Sequence, residues 1–473
     1  HEGIIDLPAD APVGADYAAW AGLDDPVIEI AITPNRGDCL GVRGIARDLA
    51  AAGLGSLKPL SIPKAASGFD AGMTVTLDFA PDAADACPLF VGRAFRGLTN
   101  GDSPRWLQDR LRAIGLRPIS ALVDVTNYVS IDLCRPLHAF DRAKLTGNVS
   151  VRLSAPDERI TGLDEGDYAL PADTVVIADA AGGAAIGGIM GGLATGVSDA
   201  TTDAVLEVAL FDPIRIAKSG RALGVLSDAR RRFERGVDPA FAFDAAEIAT
   251  AMILEFCGGE ASEIFHAGAE PDWRRSYPLP ADRTLAMTGV DLPIDRQRAI
   301  LEALEFGVES DGAGGLTASP PPWRNDIVGT ADLVEEVIRI HGYDAIPATP
   351  PARAGDGAPR PGRSAPQTRI GAARRALAAR GLDEAVTFSF LQHDVAALFG
   401  GGGDALRLLN PISADLDCMR PSLLPNLLGA AQRNQDRGAP DVALFEIGPA
   451  FDGPRPEDER SLIGGLRAGR DGP

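Results

Sequence analysis

The sequence predicts a multidomain α+β protein. Its 473 residues exceed what one compact core holds and suggest about three domains. Short β-branched runs alternate with helical runs at irregular spacing, which is typical of α+β folds. Hydrophobic residues make up 45% of the chain and charged residues 23%, the balance of a globular protein.

Composition and charge exclude several classes of function. The net charge of −21 argues against a protein that mainly coats nucleic acid, although it leaves room for a local basic groove. No stretch approaches the roughly 20 apolar residues of a membrane span. The sequence also has no HExxH, GxSxG or GxxxxGK[ST] motif.

The cysteines and the two chain ends lead to two further expectations. All five cysteines are isolated, so the sequence predicts neither a zinc ribbon nor a disulfide framework, and we expect a reducing, cytoplasmic location. The chain begins with His-Glu-Gly and stops at Arg-Asp-Gly-Pro. We therefore expect an internal piece of a longer polypeptide.

The first segment, residues 1–68, combines a predicted strand with a predicted helix. Apolar residues crowd both faces at 27–32, which indicates a strand, and a turn follows at 33–39. The apolar face of the helix is then formed by Val42, Ile45, Ala46 and Leu49.

Residues 72–265 form the predicted α+β domain. β-branched runs indicate strands at 73–79, 150–153 and 174–177. Helical patterns lie between and after them, at 105–114 and 241–256.

Two more domains follow, separated by a linker. The domain at 275–348 contains predicted helices at 296–306 and 331–340, divided by a Gly/Pro-rich stretch. Residues 349–368 are rich in Pro, Gly and Arg and predict a semi-rigid spacer. In the domain at 369–473 the pattern predicts helices at 370–379 and 423–434 and strands at 384–390 and 442–447.

Four carboxylates form the densest acidic cluster, and Thr330 is the predicted N-cap of their helix. An apolar stripe through Leu333 and Val337 leaves the acids on the opposite face. Hard oxygen ligands in this arrangement suit Mg²⁺. On spacing alone, a solvated acidic face near a helix N-terminus is the favoured alternative. The four residues are Asp326, Asp332, Glu335 and Glu336.

Two titratable residues lie in apolar surroundings. His138 follows the run at 116–128, which carries Thr126 and Asn127, both potential hydrogen-bonding groups. Glu207 lies within a strand-like apolar run, where a carboxylate must be paired, face a ligand or have a shifted pKa. A core histidine and an outward-facing edge residue remain the alternatives.

A glycine-rich and an arginine-rich run complete the candidates. The glycines at 187–192 lack the dinucleotide fingerprint and indicate close backbone approach to a strand or ligand. The arginines at 228–236 suit either phosphate contacts or ion pairs with the surplus acids.

Taken together, these segments resemble the β subunit of bacterial phenylalanyl-tRNA synthetase, collinearly over nearly the whole chain. The matching stretches are GIIDLP (3–8), TPNRGDCLG (33–41), DVTNY (124–128), PLHAFD (136–141), FERGVDP (233–239), DLVEEVIRIHGY (332–343), LNPIS (409–413) and MRPSLLP (419–425).

The resemblance implies an architecture and partners. It implies an editing domain at 72–265, a small winged-helix-like domain at 275–348 and a truncated class II synthetase-like domain at 369–473, with the OB-fold tRNA-binding domain missing before residue 1. It further implies assembly with an α subunit into two α and two β chains, binding of tRNA(Phe), and ATP and Mg²⁺ as cofactors, ATP being used by the α subunit.

The resemblance also implies roles for particular residues. Glu207 would accept the hydrogen bond of a tyrosine hydroxyl, and His138 would position the water or the terminal adenosine for hydrolysis of mischarged Tyr-tRNA. Ser227 stands where many family members carry Thr. The residues that correspond to the family's editing pocket are Arg117, Thr126, Asn127, His138, Gly191, Glu207, Ser227 and Ala229.

For the acidic cluster the resemblance favours Mg²⁺ over the solvated face. In the last domain, residues 419–422 lack the acid that class II synthetases place beside their arginine, which indicates a non-catalytic scaffold for the α subunit. The alternative to an editing subunit is a purely structural subunit that binds tRNA and supports assembly.

Overall fold

The computed structural model describes residues 5–9, 11–350 and 362–469. The chain divides into two compact units, His1–Thr349 and Pro350–Pro473. Most of the predicted linker, residues 351–361, and the first two residues of the 3–8 stretch lie outside the described part. In the described part, no helix is long and apolar enough to cross a membrane.

The first unit contains ten α-helices in its described residues. They are α1 (Tyr17–Ala21), α2 (Val42–Ala51), α3 (Arg105–Ala113), α4 (Ala121–Leu133), α5 (Pro213–Leu223), α6 (Asp228–Phe233), α7 (Ala242–Cys257), α8 (Arg283–Thr288), α9 (Ile294–Ala303) and α10 (Thr330–His341).

Fifteen strands accompany these helices in the described residues. They are β1 (Ser67–Phe69), β2 (Val75–Asp78), β3 (Leu89–Arg96), β4 (His138–Asp141), β5 (Val149–Leu153), β6 (Arg159–Thr161), β7 (Asp167–Ala169), β8 (Val175–Asp179), β9 (Gly182–Ile186), β10 (Met190–Gly191), β11 (Ala204–Leu210), β12 (Glu260–Gly268), β13 (Tyr277–Leu279), β14 (Gly307–Ser310) and β15 (Leu316–Ser319).

Two five-stranded sheets and one large apolar core form the centre of this unit. The first sheet has the order β1-β12-β3-β11-β4 and the second the order β10-β9-β8-β5-β2. All seven residues of β11 are buried, because the strand lies inside the sheet between β3 and β4. Helices α4 and α7 pack against each other and against the first sheet. Apolar side chains of both sheets and of these helices share one core.

The small domain of the first unit builds a separate core. Strands β13, β15 and β14 form an antiparallel sheet, and α9 and α10 pack beside it. The predicted Gly/Pro-rich divider between the helices contains a β-hairpin, whose turn includes Gly312 and Gly314 at positive φ. Both predicted helices are confirmed, with shifted ends.

The second unit is a smaller α+β assembly. Its helices in the described residues are α11 (Ala365–Ala378), α12 (His393–Leu398) and α13 (Leu424–Asp436). Its strands there are β16 (Asp383–Glu384), β17 (Phe390–Leu391), β18 (Cys418–Met419), β19 (Val442–Phe451) and β20 (Glu459–Ala468). They pair as β16-β19-β20 and β17-β18.

Two predicted strands are wrong in whole or in part. Residues 27–32 form no strand, and Val27 and Ile28 are 61% and 78% exposed. The predicted strand at 384–390 survives only as the short strands β16 and β17 at its ends, with Val386 91% exposed between them. Apolar periodicity indicates a strand, but a strand also needs a neighbour whose backbone groups it can pair with.

Candidate active site in the central sheet

The strand register of the central sheet brings Glu207 and His138 together. Strands β11 and β4 are antiparallel, and Glu207 is directly opposite His138. Directly opposed residues project to the same face of the sheet with Cβ atoms about 5 Å apart. The two residues that the sequence singled out separately therefore form one site.

The Glu207 carboxyl group is buried without a partner. The residue is only 6% exposed, and its carboxylate makes no hydrogen bond or ion pair with any residue that the structure describes. Burial raises the pKa of Glu207 to about 8, while the nearby charge of Arg135 acts in the opposite direction. An unpartnered buried carboxyl group is costly unless a ligand supplies the missing hydrogen bond.

His138 is also left with an unused polar atom. Within the described part of the chain, its Nε2 atom is buried and has no hydrogen-bond partner. Desolvation lowers the pKa of His138 to about 4, so the imidazole is neutral near pH 7. Its ring packs edge to face with Phe140, with 4.5 Å between the ring centroids. A neutral imidazole held in this way can accept or donate one hydrogen bond at Nε2.

A small cavity of about 70 Å³ lies between these side chains. Four of the eight predicted pocket residues line it: His138, Gly191, Glu207 and Ala229. The remaining walls are mostly apolar and include Ile177, Ile186, Ile189, Met190 and Phe233. The cavity can hold water next to two groups that lack hydrogen-bond partners.

Glycines let the backbone approach the histidine closely, as the run at 187–192 predicted. A Cβ atom at Gly191 would lie 2.4 Å from Cε1 of His138. Gly188 has φ of +66°, and a Cβ there would press on Phe211, Ile216 and Phe233. The turn from β9 to β10 can form one wall of the cavity only because these positions carry no side chain.

Ser227 contributes to the wall through a hydrogen bond. Its hydroxyl donates to the Ile189 carbonyl oxygen at 2.6 Å and accepts from the Arg230 N–H at 3.1 Å, as the N-cap of α6. Ser227 therefore links α6 to the glycine-rich wall, and both hydrogen bonds are within reach of a serine or a threonine hydroxyl.

Three predicted pocket residues lie away from the cavity. Arg117 is exposed in the connection between α3 and α4. Thr126 and Asn127 lie on α4, where the Thr126 hydroxyl donates to the Val123 carbonyl oxygen at 2.8 Å. None of the three lines the cavity around Glu207.

Sequence reasoning missed Arg135, which is completely buried beside the site. Its guanidinium donates to the backbone oxygens of Asp238 and Ala209, and its Nε has no partner among the described residues. Burial lowers the pKa of Arg135 to about 10. The signal available in the sequence was its position three residues before His138. The positive charge of Arg135 lowers the pKa of Glu207 and so opposes the effect of burial.

Two arginines of the arginine-rich run on α6 make ion pairs and hydrogen bonds within the protein. Arg230 pairs with Glu234 at 3.0 Å, and Arg232 pairs with Asp228 at 2.9 Å. Arg232 also donates to the Leu40 carbonyl oxygen at 2.9 Å. Of the two interpretations, ion pairing with the surplus acids describes these two arginines.

The four acidic residues of the predicted magnesium site have different partners in the described residues. Asp326 and Glu336 both pair with Arg324, which is 2% exposed. Asp332 accepts the Val328 N–H at 2.8 Å, and Glu335 is exposed. The described residues contain no group of three or more His, Cys, Asp or Glu that could hold a metal ion. Arg324 holds oxygens of two of the four carboxylates, Asp326 and Glu336, while Asp332 and Glu335 have no guanidinium partner in the described residues.

Two details of this helix differ from the prediction. Glu336 is buried on the same side as Leu333 and Val337 rather than on the opposite face. Gly329, not Thr330, is the N-cap, and the Thr330 hydroxyl donates to the Pro278 carbonyl oxygen. Pairing with Arg324 and Arg339 offsets the burial of Glu336 and lowers its pKa to about 2.

Arg420 of the second unit likewise makes an ion pair and hydrogen bonds within its own unit. It is 1% exposed, pairs with Glu446 at 2.9 Å and donates to the Thr387 hydroxyl and the Pro449 carbonyl oxygen. A guanidinium held in this way has no free edge for a nucleotide phosphate.

Comparisons with known proteins assign these regions. Three family models match: the B3/4 domain over residues 86–258, the tRNA synthetase B5 domain over 277–343, and the phenylalanyl tRNA synthetase beta chain CLM domain over 346–472. Two of these models are named for tRNA synthetases, and this is the class of protein that the fold and the matches define.

The relatives narrow the class to one family. Phenylalanine–tRNA ligase β subunits from Paramagnetospirillum magneticum, Rhodospirillum rubrum and Cereibacter sphaeroides are 54%, 52% and 50% identical to the chain over 99–100% of its length. The chain belongs to the family of phenylalanine–tRNA ligase β subunits. It spans 58–59% of the length of these relatives.

Proposed function

We propose that the chain is part of a β subunit that supports the charging of tRNA(Phe) and hydrolyses mischarged Tyr-tRNA(Phe). In this proposal an α subunit carries out the ATP-dependent charging step, and the cavity around Glu207 and His138 removes tyrosine. The observation that carries the hydrolytic part is the pair of opposed side chains that line one cavity. The Nε2 atom of His138 is buried without a partner, and Glu207 makes no hydrogen bond or ion pair in the described residues.

Glu207 supplies the specificity. Tyrosine differs from phenylalanine by one hydroxyl, which an apolar charging pocket rejects poorly. The tyrosine hydroxyl can donate its hydrogen to a Glu207 oxygen in either protonation state of the carboxyl group. Phenylalanine would leave this buried group unpaired, and a site built to bind a hydroxyl rejects such an analogue strongly.

The cavity must enlarge to admit the tyrosine side chain. Its volume of about 70 Å³ suits water rather than a phenol ring. Met190 forms part of the wall and is not fully buried, and an unbranched thioether changes rotamer readily. Movement of this side chain opens the cavity without changing the strand register that places Glu207.

His138 positions the attacking water. Its neutral Nε2 accepts a hydrogen bond from the water, whose oxygen adds to the ester carbonyl carbon. The bond from that carbon to the ribose oxygen then breaks, the ribose oxygen takes up a proton and leaves as a hydroxyl, and tyrosine leaves as a carboxylate. No covalent enzyme intermediate is required.

A deacylation assay tests this function. Full-length β subunit joined to α is incubated with Tyr-tRNA(Phe) and, separately, Phe-tRNA(Phe). We expect faster release of tyrosine, a loss of at least about 10²-fold in rate in His138→Ala, and loss of tyrosine preference in Glu207→Ala. Glu165→Gln, at an exposed glutamate of the same domain, is the matched control. No release of tyrosine by a complex that still charges phenylalanine would contradict the proposal and favour the purely structural subunit.

The second unit supports docking of the α subunit. The most exposed of its large apolar side chains in the described residues are Val386, Phe388, Leu398, Leu409 and Ile412, exposed by 64–102%. Where such side chains form a continuous patch, the patch commonly marks a contact with another protein. The internal bonding of Arg420 supports a scaffold rather than a second catalytic centre. Val386→Asp with Phe388→Asp is expected to reduce copurification with α, with Glu384→Gln as the exposed control.

A further inference from the structure

Helix α3 carries an arginine–tryptophan face, formed by Arg105, Trp106, Arg110 and Arg112 together with Tyr128 of the packed helix α4. At 100° per residue these α3 positions share one arc, opposite the buried Leu107 and Leu111. The face belongs to the same domain as the candidate active site but is separate from the cavity.

The face is basic within a strongly acidic chain. Residues 105–119 contain four arginines and a single acid, Asp109, whereas the whole chain has a net charge of −21. Asp109 bridges Arg105 at 2.8 Å and Arg112 at 2.9 Å, and these arginine side chains are still 71% and 51% exposed. Two further acids are close to the face: Asp102 precedes α3, and Asp132 interacts with Arg110. Because the side chains of Arg105 and Arg112 remain more than half exposed, they can still contact an anionic partner.

The aromatic side chains of the face are held rigidly while remaining accessible. The Trp106 ring packs edge to face against Tyr128 at 5.5 Å and against Phe256 at 6.1 Å, and Trp106 is 44% exposed. Arg110 lies 5.1 Å from the Trp106 ring centroid and donates to the Tyr128 hydroxyl at 2.9 Å. A fixed indole beside guanidinium groups can stack on an unpaired base while the arginines bind phosphates.

Helix α4 connects this face to the candidate active site. It packs against α3 on one side and against β4, which begins at His138, on the other. Arg117 lies in the connection from α3 to α4, and Asn127 is next to Tyr128. Two predicted pocket residues that do not line the cavity are thus close in sequence to residues of the arginine–tryptophan face.

We propose that the arginine–tryptophan face binds a single-stranded segment of RNA, with its phosphates on Arg105 and Arg112 and one unstacked base on Trp106. The proposal deepens the proposed function and rests on it, because an aminoacyl-RNA substrate must be held by contacts beyond its ester. The chemistry recognised is phosphate together with an exposed base, rather than charge alone.

Anisotropy of a fluorescein-labelled single-stranded RNA of about 12 nucleotides, titrated with the full chain, measures the contact. In Arg105→Gln/Arg112→Gln we expect weaker binding by about 10-fold at low salt. The slope of log affinity against log salt should fall in magnitude by about 1.4, for two lost contacts to single-stranded phosphates. Trp106→Leu should weaken binding by about 5-fold or more, and Trp106→Phe, which keeps a ring in the packing, should weaken it less.

Arg274→Gln is the matched control, because Arg274 also lies over a tryptophan, 4.7 Å from the Trp273 ring, and is 70% exposed. We expect it to bind RNA as the unmodified chain does. Unchanged affinity and salt slope in Arg105→Gln/Arg112→Gln would overturn the proposal. Displacement of the RNA by polyglutamate as readily as by unlabelled RNA would also overturn it, in favour of an acidic polypeptide partner.

Hydrolysis of tyrosine ethyl ester, which has no RNA, separates this proposal from the proposed function. If the variants lose RNA binding and the unmodified chain does not hydrolyse the ester, the RNA-binding proposal stands and the hydrolytic function is contradicted. If the unmodified chain hydrolyses the ester and the variants bind RNA as the unmodified chain does, the hydrolytic function stands and the RNA-binding proposal is contradicted. Equal thermal midpoints of the variants and the unmodified chain show that the fold is intact.

Discussion

At the scale of single residues, the side chains of Glu207 and His138 impose a cost on the folded protein that only a bound molecule removes. Each has a buried polar group without a hydrogen bond in the described part of the chain, and each has a pKa shifted towards its neutral form. Shifts of this kind concentrate at functional sites.

Glu207→Gln tests the burial of this carboxyl group through pH. The pKa of Glu207 is about 8 in the folded chain and 4.5 ordinarily, so the folded state binds the proton more tightly than the unfolded state. Stability therefore falls as pH rises through this window, and Glu207→Gln, which cannot ionise, avoids the loss. We expect its stability relative to the unmodified chain to rise by up to about 1.4 kcal/mol per pH unit, measured by urea unfolding between about pH 5 and pH 8.

The control for this experiment is Glu165→Gln, at an exposed position. Its stability relative to the unmodified chain should not change across the same pH range. Parallel pH profiles for Glu207→Gln and the unmodified chain would show that Glu207 ionises freely in the folded protein.

Gly191→Ala tests the close approach to His138. The new methyl group would lie 2.4 Å from Cε1 of His138, so the ring or the strand must move. We expect a stability loss of about 1–3 kcal/mol and a larger relative loss of ester hydrolysis, because the histidine is displaced. Gly101→Ala, where a Cβ meets nothing within 4 Å, should change neither quantity. Unchanged hydrolysis in Gly191→Ala would contradict the role assigned to His138 in the reaction.

At the scale of elements, an ion network fastens α10 to its surroundings. Arg324 joins Asp326 and Glu336, and Arg339 joins Glu336 to Asp48 of α2 at 2.8 Å. Asp48 in turn accepts from Arg36 at 3.0 Å. The network connects the segment around α2 to the small domain and accounts for the burial of Glu336.

Glu336→Ala is expected to destabilise the small domain by about 3–5 kcal/mol, because it leaves Arg324 buried with one partner fewer. Glu335→Ala, one residue earlier and exposed, should lie within about 0.5 kcal/mol of the unmodified chain. Thermal unfolding followed by calorimetry measures both variants. A Glu336→Ala variant as stable as the unmodified chain would contradict the assigned role of the buried ion pair.

At the scale of the whole molecule, the two units enclose separate apolar cores. Two clusters lie within the first unit, and the third cluster, around Leu391 and Cys418, lies within the second. A chain that stops at Thr349 should therefore fold cooperatively and keep any tyrosine ethyl ester hydrolysis. Circular dichroism during heating checks this expectation, and a non-cooperative transition would show that the first unit depends on the second.

The sequence predicted several helices and some strands of the central domain, because hydrophobic periodicity is a local property. The helix at 42–49 and the strands at 73–79 and 150–153 all correspond to observed elements. The failure at 27–32 has a physical cause: the apolar pattern is present, but no neighbouring strand pairs with it in the described residues. The apolar pattern of one strand does not indicate which other strand it pairs with.

The sequence by itself determined which residue types could carry the chemistry, and it singled out Glu207, His138 and Gly191 as well as the family. Only the tertiary structure decided which of them meet. Register places Glu207 opposite His138, while Arg117, Thr126 and Asn127 do not line the cavity. It also decided that Arg324 pairs with both Asp326 and Glu336. Strand pairing and buried ion pairing join residues that are distant along the chain, so no local pattern in the sequence reports them.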